Sequence, residues 1–299
     1  MSDLSIPDPA HYPHALDIQH DTDPEQDHGF AKRIPHLGHA ALFLGITLVC
    51  VLLCVVGLVV LVFLRHPKLA ASALQDEYAY LSPLGMLLGY VATLLISLPV
   101  FPLLWTHSFL QGIHWTASQA TRRWWKLMLL GVALSLLAQV AEHFVKTPKD
   151  IDILHLLKSP VVAWFTLIFG SLIAPVFEEI TFRGFLLPAF ATAYDWLSLE
   201  RTPAALNRWQ LTTGHSGSAL VLASVVSSAL FAAIHGAQLH WAVGTLVILF
   251  TVSLVFSAVR VRMHSVAASA LVHISYNSFI FMELVIQTGG FRHLEKLTS

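Results

Sequence analysis

The composition of this 299-residue chain excludes an ordinary soluble domain: 56% of its residues are hydrophobic, only 12% are charged, and the mean hydropathy is +0.67. Soluble domains usually carry about twice that share of charged residues. The formal charge of −1 comes from 17 Lys and Arg against 18 Asp and Glu, so no basic excess points to nucleic acid as a partner. We therefore expect an integral, multi-pass membrane protein that is surrounded by the lipid bilayer.

The first 36 residues differ in composition from the rest of the chain. They contain seven acidic residues, five histidines and few large apolar side chains, so they cannot bury enough surface to offset the entropy of ordering. They also lack the basic start and short apolar core of a signal peptide. Residues 1–36 are therefore predicted to form a disordered acidic, histidine-rich tail in the cytoplasm. The irregular spacing of the histidines favours a polar tail over a metal site.

Seven apolar segments follow this tail, and a bilayer crossing takes about 20 such residues. The fourth segment is too long for one simple crossing and contains Pro175 and Pro188, so it is either one kinked helix or a span followed by a re-entrant piece. We expect an all-α fold, a polytopic membrane helical bundle with seven to eight transmembrane or re-entrant segments. The segments lie near 39–64, 82–105, 125–144, 160–190, 218–236, 240–259 and 264–287.

The segments divide the chain into N-terminal transmembrane helices at 37–158 and a C-terminal core at 159–290, with a short polar tail at 291–299. The 121–126 loop, TRRWWK, carries the densest positive charge, which by the positive-inside rule faces the cytoplasm together with the N-terminus. In that arrangement nine Lys and Arg lie inside and seven outside, which is a narrow bias. The plasma or inner membrane is the expected location.

The fourth segment contains three ionisable side chains, each of which costs about 2.5–3.5 kcal/mol at the centre of a membrane helix. Glu179 and Arg183 are four residues apart, the separation at which helical side chains meet, and an ion pair there lowers the cost of both. A structural salt bridge accounts for that pair but not for Glu178, which points about 100° away. A lone carboxylate in an apolar site exchanges protons readily, as a general base acting on water must.

Two later segments add further polar side chains. His235 ends the fifth segment one turn after Phe231, and His273 and Asn277 share a face of the seventh segment. Each has a structural alternative, because a lone histidine is often a helix-end residue and an amide often bonds between membrane helices. Together, however, three helices supply one carboxylate, two imidazoles and an amide to a single buried cluster.

Three short motifs occur in a recognisable order. EEITFR (178–183), FAAIH (231–235) and HISYN (273–277) follow the patterns EExxxR, FxxxH and HxxxN. In this order they resemble the motifs of the CAAX protease and bacteriocin-processing (CPBP) family of intramembrane proteases, which includes the type II CAAX prenyl endopeptidases. The resemblance covers only the C-terminal core and implies a membrane-embedded hydrolase that cleaves peptide bonds.

The resemblance also implies a role for each motif. Glu178, the first glutamate of its motif, would activate a water together with His235. His273 and Asn277 would stabilise the oxyanion of the tetrahedral intermediate. The remaining glutamate and arginine of the first motif would hold the geometry of the site.

These roles conflict with a simple crossing of the fourth and fifth segments. Crossings of about 20 residues end near Glu178 and near His235 at opposite faces of the membrane, where the two side chains cannot share a water. Either the fourth span runs deeper, with Pro175 kinking it, or the fifth span begins later than Gly217.

A zinc site is the alternative to metal-free catalysis, and the family has been described in both ways. Glu178, His235 and His273 would be the ligands, with water in the fourth position. Such histidines need acceptors that hold their second nitrogen, and their sequence neighbours offer only backbone. The zincin signature HExxH is absent from the chain. We therefore expect metal-independent catalysis without a cofactor, and keep zinc as the alternative.

The predicted function is an intramembrane endopeptidase whose substrate is a membrane-embedded or lipid-modified peptide or protein. Prenylated CaaX tails are one substrate class that the resemblance implies. A non-catalytic family member with an immunity or scaffold role is a second possibility. A proton-coupled transporter is a third, although the first half of the chain shows no repeat of the polar segments such as many transporters carry.

Overall fold

The computed structural model describes residues 33–68, 78, 80–145 and 159–294. Within these residues it contains ten helices and no strand, and seven of the helices are long and apolar enough to cross a membrane. The protein is therefore an all-α, multi-pass bundle, and the seven predicted segments are confirmed. The helices are α1 (Leu37–Arg65), α2 (Leu81–Leu104), α3 (Phe109–Gly112), α4 (Ala117–Arg122), α5 (Trp124–Glu142), α6 (Pro160–Leu197), α7 (Pro203–Leu211), α8 (Gly217–Ile234), α9 (Val243–Met263) and α10 (Val266–Gln287).

Hydroxyl side chains define where α6, α7, α8 and α10 begin, as Ser108 does for the short α3. Ser159, Thr202, Ser216 and Ser265 each stand just before a helix, and each side-chain oxygen accepts a hydrogen bond from a backbone N–H of the first turn. Such a cap satisfies one of the N–H groups that a helix start leaves without a partner. The starts of α6, α7, α8 and α10 are thus encoded locally in the sequence.

The fourth segment is a single helix, α6, and not a span followed by a re-entrant piece. It has 38 residues, about 57 Å at about 1.5 Å per residue, whereas the hydrocarbon core is only about 30 Å thick. Two stretches, Phe169–Ile173 and Ile180–Leu186, have the wider π-helical turn, and they flank Glu178 and Glu179. Glu178 and His235 were expected at opposite faces unless the fourth span is longer or the fifth begins after Gly217. Because α8 begins at Gly217, the longer fourth span is the alternative that agrees with the structure.

Two prolines fit into α6 because of this alternation of turns. Pro175 and Pro188 each lie in the first turn of an α-helical stretch that follows a π-helical one. Proline is tolerated in that position, because its missing N–H would have little role there. The prolines therefore mark changes of winding within one helix.

The packing order places α6 at the centre of the bundle. α1 pairs with α2, α5 packs against α10, and α6 contacts α1, α8 and α10. α8, α9 and α10 follow one another as neighbours and enclose the middle of α6. At the contact of α5 with α10, Gly131 is so close that an added Cβ would lie 2.5 Å from the Val272 carbonyl oxygen.

Two predicted boundaries need correction. Residues 1–32 lie outside the described residues, but Arg33 is only 4% exposed, and His36 caps α1, so the predicted tail does not extend to residue 36. At the other end, Phe291 is fully buried and packs against Ala163 and Trp164 at the start of α6. The segment 291–299 is therefore anchored at its start by Phe291 and by Leu294, which packs against the same cluster.

Candidate active site

The predicted ion pair lies at the centre of α6. The carboxylate of Glu179 and the guanidinium of Arg183 are both fully buried, with Oε1 and Nη1 2.9 Å apart. The other guanidinium nitrogen, Nη2, donates to the carbonyl oxygen of Ser253 at 2.7 Å and to its hydroxyl at 2.6 Å. The hydrogen bonds from Arg183 to Ser253 thus fix α6 to α9, and the ion pair within α6 offsets charges that would be costly alone.

Aromatic rings surround this ion pair. The guanidinium of Arg183 lies 5.1 Å from the ring centre of Phe231 and 5.5 Å from that of Phe256. Phe256 also stacks on the imidazole of His273, with ring centres 4.5 Å apart. Apolar walls of this kind keep water from the ion pair and strengthen its electrostatic attraction.

His273 lies between the two glutamates. Its Nδ1 is 3.0 Å from Oε1 of Glu179, and its Nε2 is 3.6 Å from Oε2 of Glu178. A carboxylate that is paired with Arg183 can only accept, so Nδ1 must carry the hydrogen and Nε2 is left facing Glu178. Glu179 is thereby used twice, whereas Glu178 is 18% exposed and makes no hydrogen bond within the described residues.

His235 joins the cluster through a phenylalanine ring. It follows the last residue of α8, and its Nδ1 donates to the carbonyl oxygen of Phe231 at 2.8 Å. The ring of Phe231 contacts His235 with centres 4.9 Å apart and His273 with centres 5.7 Å apart. Among the described residues no hydrogen bond or ion pair joins His235 to Glu178, so the glutamate's nearest imidazole is that of His273.

Asn277 lies one turn beyond His273 on α10. Its Nδ2 donates to the carbonyl oxygen of Gly170 at 2.8 Å, in the first π-helical stretch of α6. A primary amide has two N–H bonds, so one remains for another acceptor. The bond to Gly170 fixes the direction in which the side chain points.

The fit of zinc to these residues is poor. The part of the chain that the structure describes contains no group of three His, Cys, Asp or Glu side chains placed to hold a metal, so Glu178, His235 and His273 do not converge as three ligands. The sequence argument against zinc was nevertheless wrong in its premise. Both histidines have an acceptor on Nδ1, which is Glu179 for His273 and the backbone of Phe231 for His235.

Three contributors to the site were missed from the sequence. Ser253, Gly170 and Phe256 supply the acceptor for Arg183, the acceptor for Asn277 and the wall against His273. A serine in an apolar span was the one available signal, but such serines usually bond to their own helix and so indicate little. The other two depend on tertiary packing alone.

Residues 160–279 match a family model described as "Type II CAAX prenyl endopeptidase Rce1-like". The matched segment begins at the first residue of α6, ends within α10, and contains all three motifs. This segment, about two fifths of the chain, is therefore similar to the type II CAAX prenyl endopeptidases. No curated protein and no solved structure matches the chain. The match confirms the resemblance that the three motifs indicate and places it in the segment from α6 into α10.

Proposed function

We propose that the protein is an intramembrane endopeptidase that hydrolyses a peptide bond of a membrane-embedded or lipid-modified substrate, such as a prenylated CaaX tail. The observation that carries this proposal is the unequal use of two adjacent carboxylates. Glu179 is fully buried and bonded to Arg183 and His273, whereas Glu178 is partly open and faces the free nitrogen of His273. A structural ion pair needs only the first glutamate, and a general base needs the second.

The geometry suits a water between Glu178 and His273. Their facing atoms are 3.6 Å apart, which is too long for a strong direct hydrogen bond. A water at about 2.8 Å from each atom would bridge the two groups. Nε2 would accept one hydrogen bond from this water while Glu178 takes the other proton.

The proposed reaction is a direct hydrolysis. The water oxygen bonds to the carbonyl carbon as its proton moves to Glu178, and a tetrahedral oxyanion forms. The C–N bond then breaks, and the protonated Glu178 returns its proton to the leaving nitrogen. The products are a carboxylic acid and an amine, with no other reactant consumed.

Asn277 and His235 complete the proposed site. The second N–H of Asn277 is a donor for the oxyanion, and losing one such donor typically costs about 10²–10³ in rate. The resemblance implies that His235 helps to activate the water and that His273 stabilises the oxyanion. The observed contacts instead favour His273 as the nearer partner of the water. We assign His235, whose Nε2 makes no hydrogen bond among the described residues, to the second side of the same water when substrate is bound.

The decisive substitution is Glu178→Gln, tested on purified protein in liposomes with a farnesylated CaaX peptide and detection of the fragments by mass spectrometry. Glutamine keeps the shape and loses the base, so we expect the rate to fall by at least about 10²-fold. Glu283→Gln is the matched control, because Glu283 is exposed near the end of α10. Activity of Glu178→Gln within a few-fold of wild type would remove Glu178 from the mechanism.

The metal question is decided by elemental analysis of active protein and by assays after exhaustive chelation. We expect activity to survive chelation. One zinc per chain, with activity lost on stripping and restored by zinc, would replace the metal-free scheme while keeping the same residues. A folded wild-type protein that cleaves no peptide, in vitro or in peptide profiles of cells with and without the gene, would favour the non-catalytic alternative.

A further inference from the structure

A cavity of about 630 Å³ opens at one end of the bundle. This is the end at which α1 and α8 begin and α2 and α9 finish, and the lining includes none of the six residues of the candidate active site. The volume lies in the range of small-molecule sites, about 300–1,000 Å³. Six side chains that can carry positive charge line it: Arg33, His107, His114, His215, Arg260 and His264.

The charge of this cavity is one-sided. Among the described residues that line it there is no Asp or Glu. The nearest carboxylate, Asp195, bonds to the imidazole of His215 at 3.3 Å and to the hydroxyl of Ser216 at 2.6 Å. One acidic side chain that is already engaged therefore stands against two arginines, and the four histidines supply further N–H donors.

Arg33 is held in a fixed position on the wall of the cavity. Its guanidinium donates to the carbonyl oxygen of Gly214 at 2.8 Å and to the hydroxyl of Thr212 at 3.1 Å, and it lies over the ring of Trp209 at 3.7 Å. Its Nε has no partner among the described residues and is buried. The position is fixed in advance, so binding costs little side-chain entropy.

Arg260 is the observation that most needs an explanation. Its side chain is only 6% exposed, and within the described residues its guanidinium makes no hydrogen bond and no ion pair. A buried cation without an acceptor is costly, and natural proteins rarely keep one except where an anion is bound. Its place at the end of α9, on the cavity wall, directs that charge to the cavity rather than to lipid.

We propose that this cavity binds a phosphate group, carried by a free small molecule or by the headgroup of an anionic lipid. The donors come from separate segments around the cavity, so a tetrahedral anion with several oxygens meets more of them than a planar carboxylate does. The cavity also lies at the helix ends, where lipid headgroups are within reach. This site is independent of the proposed peptidase.

The first test is a titration of the full-length protein in neutral detergent with inorganic phosphate. Calorimetry measures the binding, and thermal unfolding measures the change in stability. Inorganic phosphate should bind and raise the unfolding temperature, because a ligand of the native state stabilises it. Arg260→Gln should weaken binding by at least about tenfold, since a charged hydrogen-bond donor is lost. Arg260→Lys should lose less, and Arg262→Gln, which changes an exposed arginine on the same helix, should lose nothing.

Two features of the variants keep the test clear if folding is affected. Without phosphate, Arg260→Gln should unfold at a higher temperature than wild type, because an uncompensated buried charge is gone. His264→Asn changes an exposed side chain at a positive φ of 48°, which asparagine tolerates, and should weaken binding a few-fold without altering the unfolding temperature. Equal losses in Arg262→Gln and Arg260→Gln would mean surface attraction and would overturn the proposal.

The source of the phosphate is identified with vesicles. Protein in phosphatidylcholine vesicles is compared with protein in vesicles that also contain phosphatidic acid. Stabilisation by phosphatidic acid that removes the response to inorganic phosphate would identify a lipid headgroup, and an unchanged response would identify a free phosphate. No binding of either probe would overturn the proposal.

A further variant tests whether the chain's own carboxylates occupy the cavity. In it, the acidic residues Asp21, Asp23, Glu25 and Asp27 are changed to amides. Phosphate binding that appears only in this variant would overturn the proposal, because those carboxylates would then be the occupant.

Discussion

Two regions of this membrane protein are held together in different ways. The α1–α2 pair is strongly apolar, with a mean hydropathy of 3.3 in α1, and it packs by steric fit: Gly85 and Gly89 bring α2 against the backbone of Val55 and Val51. In the C-terminal region, hydrogen bonds join α6 to α9 and α10, an ion pair lies within α6, and α10 has a mean hydropathy of only 1.4. The first region is therefore sensitive to side-chain size and the second to charge.

The largest effect is expected in the polar region. Arg183→Ala removes the partner of Glu179 in a fully buried site, and breaking such a pair typically costs about 3–5 kcal/mol. We expect a large fall in the free energy of unfolding, measured in detergent, together with loss of peptidase activity. Glu179→Gln combined with Arg183→Gln should cost less than Arg183→Ala alone, because no charge is left without a partner. Normal stability of Arg183→Ala would mean that the two regions do not differ in this respect.

The next effect is expected in the apolar region. A Cβ at Gly89 would lie 2.6 Å from the Cα of Val51, so Gly89→Ala must push α1 and α2 apart, and such overpacking typically costs about 1–3 kcal/mol. Gly57→Ala in α1 is the control, because a Cβ there meets nothing within 4 Å. We expect a lower unfolding temperature for the first variant and an equal or higher one for the second. Identical shifts would show that the fit at Gly89 contributes nothing.

The smallest effect is expected on the pH dependence of stability, through His114 in a loop that belongs to neither region. Burial in the cavity wall and the charge of Arg260 lower the pKa of His114 from 6.5 to about 4. The neutral ring is thus favoured in the folded state, so its contribution is fully present above pH 6.5 and is lost as pH falls towards 4. Unfolding temperatures should fall between pH 7 and 5, although burial also lowers the pKa of His36 and of His215.

His114→Asn isolates the contribution of this histidine, because asparagine tolerates the positive φ of 57° at that position. The variant should show a shallower dependence of the unfolding temperature on pH over the same range. Bound phosphate should also reduce the loss, because an anion favours the protonated imidazoles. A pH profile that is the same in wild type and variant would contradict this role of His114.

The sequence predicts those parts of this molecule that are decided locally. Hydropathy located all seven spans, and the separation of four residues predicted the contact of Glu179 with Arg183. The sequence does not predict that His273 faces both glutamates, because that contact depends on how α10 packs against α6. The buried position of Arg33 was missed for the same reason, since its acceptors lie about 180 residues away in the chain.

The roles of the site residues stay predictions, and the structure changes which of them is the most informative to test. Glu178 faces His273 and makes no hydrogen bond or ion pair with His235 among the described residues, so the two histidines need not be equivalent. Substituting each by alanine and comparing kcat with KM separates them. Loss of a histidine that holds the water should lower kcat, whereas loss of one that contacts only the substrate should raise KM.

The π-helical stretch at Phe169–Ile173 has a consequence for how this site can vary between related chains. A π turn holds one residue more than an α turn, so deleting a single residue there would rewind α6 as an ordinary helix. The deletion would rotate everything before it by about 100° relative to Glu178. Gly170 would then turn its carbonyl away from Asn277, although no residue of the three motifs had changed. The number of residues between Gly170 and the first motif is thus as much a part of the site as the motif itself.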